Sequence, residues 1–125
     1  MTPSRTPLTT AIADAASFAL IARGSGDVEL LTGDVVDVEL LADIPLTDAA
    51  GTAREVLALV PFRQVVERGF ECHDDNAPLR CLVVQTHTHF SREEALSALP
   101  SDPIPLEDAG FDIHGDAYAH IVREV

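Results

Sequence analysis

The 125-residue chain carries eight Arg, no Lys and 21 Asp plus Glu, a formal charge of −13. That length is one domain's worth, and 46 % apolar with 23 % charged residues is the composition of a globular chain with a true core. So acidic a surface repels phosphate backbones and anionic lipid, which excludes nucleic acid and membrane as partners. No apolar run approaches the ~20 residues of a membrane span, and no basic-then-apolar leader opens the chain, so a cytoplasmic protein is expected.

Met1–Ser17 opens with Pro and Thr and shows no periodicity, which predicts a flexible N-terminal arm over residues 1–17, with the folded domain at 18–125. Phe18–Arg23 and Val28–Leu31 are apolar runs split by Gly24-Ser25-Gly26-Asp27, the pattern of a hairpin. Gly33-Asp34 interrupts before Val35–Val38, a third strand or a bulged continuation in which apolar and acidic residues alternate. Leu40–Ile44 is a brief turn or helix stopped by Pro45, and Leu46–Thr52 a polar loop. Glu55–Pro61 reads as a strand buried on both faces, with Leu79–His89 its antiparallel partner. Between them, Phe70–Pro78 clusters the Asp, Asn and Pro residues that close turns.

Ser91 with Glu94 three residues on forms a capping box, opening a short helix that ends near Pro100. After a Pro-rich connector, Asp116 is placed to cap a last helix with Tyr118, Ile121, Val122 and Val125 on one face. That stripe is still running at Val125. The expectation is that this helix leads into an absent further half, or pairs with a second copy through the same four residues. The predicted class is α+β: a mainly antiparallel sheet layer with a few short helices.

Three groups of residues bear on chemistry. Thr86-His87-Thr88-His89, at the end of an apolar strand, resembles the metal-binding strand of metallo-β-lactamase-fold hydrolases. That family continues with Asp and His, where Ser91 and Arg92 stand here. His87 and His89 share one face of a strand, so a single metal with Asp112 or His114 is the alternative to two ordinary surface histidines; no metal is expected. Cys72-His73-Asp74-Asp75 places a thiol, an imidazole and two carboxylates in one turn, but catalytic partners come from separated elements, and an Asx-type turn with Cys72 packed inward is expected. Both Cys72 and Cys81 are read as reduced. Arg63 and Arg68 precede this turn and, with His73 and Asp74, are the candidate ligand-binding residues for an anion; the other reading has the arginines neutralise Glu67, Asp74 and Asp75.

The stretch Val56–Leu82, VLALVPFRQVVERGFECHDDNAPLRCL, resembles the N-terminal region of anthranilate synthase large chains, in the amidotransferase-fused branch of actinobacterial and phenazine type. Phe18–Arg23, Thr32–Val38, Leu40–Pro45, Glu93–Pro100, Gly110–Asp112 and Tyr118–Val122 follow in the same order, so the resemblance spans Phe18–Val125. It implies the N-terminal layer of the chorismate-utilising fold. It also implies a structural segment of an enzyme that aminates chorismate to anthranilate or 2-amino-2-deoxyisochorismate in specialised metabolism. Magnesium belongs to the complete enzyme, and no cofactor is implied for this chain. The implied partners are a chorismate-binding catalytic half and a glutamine amidotransferase domain or subunit. The catalytic residues of that family lie downstream, so none is assigned here. Tryptophan-pathway members carry Leu-Leu-Glu-Ser in the first strand region where Phe18–Arg23 stands, which implies an enzyme without tryptophan feedback. The competing reading is a free-standing binding or regulatory module acting on a separate chorismate-binding subunit.

Overall fold

The computed structural model describes residues 6–125. Its centre is one antiparallel sheet of four strands, β1 (Ser17–Ala22), β2 (Asp27–Val38), β3 (Val56–Leu59) and β4 (Leu79–Ser91), in the order β1-β2-β4-β3. Three α-helices accompany it: α1 (Leu8–Asp14), α2 (Arg92–Ala98) and α3 (Gly115–Arg123). Short 3₁₀ segments at Leu41–Asp43 and Phe62–Arg68 complete an α+β architecture of the expected class.

The hairpin forms where the glycines allow it: Gly26 adopts φ +93°, and Arg23 and Asp27 close the turn by a backbone hydrogen bond. Val35–Val38 is a bulged continuation and not a third strand, because β2 runs on for 12 residues against β4. The register is Thr32 to Thr86 and then Gly33 to Val84, so Gln85 is the extra residue on β4. Gly33 is required there by volume: a Cβ on it would meet the Val83 carbonyl oxygen at 1.9 Å. Past the bulge, residues 34–37 are all exposed, and the alternation read in Val35–Val38 buries neither face.

The main hydrophobic cluster lies on one face of the sheet, while Leu31, the residue after Leu30 on β2, is buried on the other. Leu30, Val28 and Phe90 pack with Leu8 of α1 and Ala95 of α2, and Ala11, Ile12, Leu20 and Ala98 close around them. Leu8–Asp14 therefore corrects the expectation of a flexible arm over 1–17: a buried leucine gives α1 an anchor that composition alone did not disclose. Met1–Arg5, also assigned to that arm, lie outside the described residues.

A second correction concerns β3. It pairs antiparallel with β4 as expected, over Arg80–Val83 with Val56 opposite Val83 and Leu59 opposite Arg80, but it is four residues long and sits at the sheet edge. Its residues are half-buried or exposed, not covered on both faces. β4 instead lies between β2 and β3, and its Leu79 and Cys81 are fully buried. The capping box at α2 is as read: Ser91 Oγ accepts from Glu94 N at 3.1 Å, and Glu94 Oε1 accepts from Ser91 N at 3.4 Å. At α3 the cap is His114, whose Nδ1 accepts from Asp116 N at 3.3 Å, while Asp116 falls inside the first turn. Tyr118, Ile121, Val122 and Val125 are exposed.

Candidate functional site

The sequence candidates near the second 3₁₀ segment fall into separate structural roles. Arg63 donates from Nε to the Ala77 carbonyl at 2.9 Å, tying Phe62–Arg68 to the end of the following loop. Arg68 lies in the last turn of the segment, which Gly69 ends with φ +85°. His73 and Asp74 are exposed in the loop, where Asp74 Oδ1 accepts from Asn76 N and Asp75 Oδ1 from Ala77 N. These are the Asx turns expected there, and Asn76 takes φ 62° to fit them. Glu67 is engaged elsewhere: it accepts from Leu41 N and from Gln64 Nε2, fastening the segment to the first 3₁₀ turn. Cys72 is half-buried and Cys81 buried, both without a disulfide. Burial pushes the Cys81 thiol pKa up, with Asp37 adding to the effect, so it stays a protonated packing group.

The polar cluster that the fold builds lies on the middle strands. Glu29 on β2 is the register partner of His89 on β4, and His87, two residues before, shares its face. Glu29 Oε1 lies 2.8 Å from His87 Nε2 and 4.0 Å from His89 Nε2. The two imidazoles stack with centroids 5.0 Å apart. On its other side, His87 Nδ1 is 2.8 and 3.0 Å from the two carboxylate oxygens of Glu55. Arg23, at the end of β1, donates from Nε to Glu29 Oε2.

The electrostatics follow from these contacts. The Arg23 guanidinium, and after it His87, hold the Glu29 carboxyl below the usual range, against a smaller opposing effect of burial. Hydrogen bonding to Glu55, and then to Glu29, raises the His87 pKa above its ordinary value. The side chain of Glu29 is 12 % exposed, that of His87 29 % and that of His89 64 %, so the cluster has a buried base and an open mouth. Sequence reading singled out the two histidines and missed Glu29, Glu55 and Arg23. Asp112 and His114, suggested as a third ligand, are not in the group of three whose donor atoms lie together; Glu29 is. The only signal in the sequence was the single acid in Val28-Glu29-Leu30-Leu31, an apolar run where a charge must be paired or turned outward.

A different feature is an open cleft of about 250 Å³ between the hairpin and α2, floored by Leu20, Val28 and Leu96 and rimmed by Arg23 and Arg92. Arg92, which follows the His-x-His strand in the sequence, lines this cleft.

Comparison with known proteins gives two related matches. The chain is 40 % identical over 114 residues to a phenazine-specific anthranilate synthase of Pseudomonas chlororaphis, and 38 % identical over 114 residues to that of Pseudomonas fluorescens. The chain is similar to a segment of phenazine-specific anthranilate synthases. The alignment takes in 86 % of this chain and 18 % of each relative, so the chain spans about a fifth of the length of the curated anthranilate synthases it matches. No family model matches. Among the described residues, no helix is long and apolar enough to cross a membrane.

Proposed function

We propose that this chain is the N-terminal structural segment of a chorismate-aminating enzyme of specialised metabolism, acting in the cytoplasm and inactive by itself. The observation that carries the reading is the match to phenazine-specific anthranilate synthases over 86 % of the chain but only 18 % of their length. In this reading the segment supplies a sheet and its covering helices, and a chorismate-binding half and a glutamine amidotransferase supply the lyase or aminating chemistry. The product is anthranilate or 2-amino-2-deoxyisochorismate.

The bare apolar surface supports the same reading. Phe62, Phe70, Ile104, Leu106 and Phe111 are each more than 60 % exposed, beyond the α3 stripe. Apolar area on that scale is ordinarily covered by another protein surface. Magnesium, which the complete enzyme would use, is not suited by the one group of three metal-capable side chains among the described residues. Two of its three donors are imidazoles, whereas Mg²⁺ takes oxygen ligands. No step through that ion is assigned to this chain.

The test is to incubate the purified chain with chorismate, ammonium and magnesium, alone and together with a Pseudomonas chlororaphis relative from which the matching 114 residues have been removed. Chorismate should persist in the first mixture and be consumed in the second. Turnover by the chain alone, or no consumption with the truncated relative, would overturn the proposal.

A further inference from the structure

We infer that Glu29, His87 and His89 form a binding site for a divalent transition metal of the zinc class. The donor atoms of the three residues all lie within 4.8 Å of one another. In a tetrahedral zinc site with bonds of about 2.0–2.1 Å, neighbouring donors stand roughly 3.3 Å apart. The Glu29–His87 pair, at 2.8 Å, must open by a few tenths of an ångström, and the Glu29–His89 pair, at 4.0 Å, must close by rather more. Side-chain rotation of the exposed His89 supplies that movement without disturbing either strand.

Four further features favour a metal over an incidental polar cluster. The three residues stand on the two central strands of the sheet: Glu29 is paired on both sides, with Ile21 of β1 and His89 of β4, and His87 and His89 are held by the long β2–β4 pairing. Glu55 accepts from Nδ1 of His87 and holds the ring with Nε2 turned to the cluster, so that a metal displacing the Nε2 proton would meet the carboxylate–histidine arrangement that supports metal ligands. Arg23 occupies Oε2 of Glu29 and leaves Oε1 as the single donor, a monodentate carboxylate. Finally, the exposed mouth beside His89 leaves room for a fourth ligand from water or a bound molecule. Two imidazoles and one carboxylate prefer Zn²⁺, Co²⁺, Ni²⁺ or Cu²⁺ and discriminate against Mg²⁺ and Ca²⁺. The Arg23 guanidinium opposes the cation's charge, which lowers the affinity without removing any donor.

This inference does not depend on the proposed function, since it reads only metal binding. The purified full chain, freed of metal by chelator, is titrated calorimetrically with Zn²⁺ and spectroscopically with Co²⁺. One equivalent of Zn²⁺ should bind, and Co²⁺ should give the intense visible absorption of a four-coordinate site. His89→Gln and Glu29→Gln should each abolish the Co²⁺ spectrum and weaken Zn²⁺ binding by at least ~10-fold, and Glu55→Gln should weaken it by ~10–100-fold. Cys72→Ser, outside the cluster, should change neither. Because His89 is largely exposed, its variant keeps the fold and holds the test open even if Glu29→Gln unfolds. Absence of a stoichiometric Zn²⁺ complex, an unchanged titration in His89→Gln, or loss of binding in Cys72→Ser would overturn the site.

Discussion

Replacing Gly33 with Ala tests the central pairing of the fold most directly. Glycine inside a strand ordinarily costs stability, so an alanine there should gain ~0.5–1 kcal/mol if the position were open. It is not open: the added Cβ would lie 1.9 Å from the Val83 carbonyl oxygen, 2.9 Å from its carbon and 3.2 Å from Gln85 N. All three are backbone atoms of the neighbouring strand, so no side-chain rotation relieves the clash. Restoring even a tight contact of about 3.2–3.4 Å to the oxygen requires the strands to part locally by more than an ångström. An N–H···O bond of ~2.9 Å stretched by that amount is lost. Each buried backbone group left without a partner costs ~1–3 kcal/mol, and the bulge places at least two at risk. The expected destabilisation is therefore about 2–5 kcal/mol, read as a lowered midpoint in urea unfolding followed by circular dichroism. Gly24→Ala is the control: it has nothing within 4 Å and no positive φ, and should stay near wild type. A Gly33→Ala protein as stable as the parent, or more stable, would refute the bulge geometry.

Leu30→Ala, at a core position 1 % exposed, should cost about 2–5 kcal/mol in the same unfolding assay. Ser91→Ala removes the side-chain acceptor of the α2 capping box and should cost about 1 kcal/mol, with the helix signal of Arg92–Ala98 weakened in amide exchange. Asp37 is held below its usual pKa by Arg80, which donates to both carboxylate oxygens at 2.8 and 3.1 Å. A depressed acid contributes stability above its unfolded pKa of about 3.9 and loses it as pH falls through the folded value. The gap between wild type and Asp37→Asn should accordingly be constant at neutral pH and shrink below about pH 4; a gap that widens in acid would contradict the ion pair. The exposed α3 face predicts self-association in isolation, and light scattering should find an oligomer in wild type and a monomer in the Ile121→Asp, Val122→Asp double variant. A monomeric wild type would show that the face is tolerated bare.

Local chemistry was legible in the sequence wherever a structure is decided by neighbours along the chain. The hairpin turn at Gly24–Gly26, the Ser91 capping box and the Asx turns at Asp74 and Asp75 depend on hydrogen bonds that span two to four residues, and each formed as read. The α+β class followed from the same short-range signals, and the long phrase from Val56 to Leu82 carried the resemblance to anthranilate synthases.

Tertiary structure decided the rest. Composition marks Leu8–Asp14 as loose, yet the helix is held by Leu8 entering a core made of β2, β4 and α2, residues up to 87 positions away. An apolar run such as Val56–Leu59 looks the same at an edge as at the centre of a sheet; only the strand order, which gives β4 two neighbours, shows which is covered. Register likewise decides the site. His87 and His89 announce themselves as a pair two residues apart, but Glu29 joins them only because β2 and β4 align it opposite His89, and Glu55 and Arg23 arrive from further elements. A one-residue slip in that pairing would turn Glu29 to the other face of the sheet, and no periodicity in either strand records the register that prevents it.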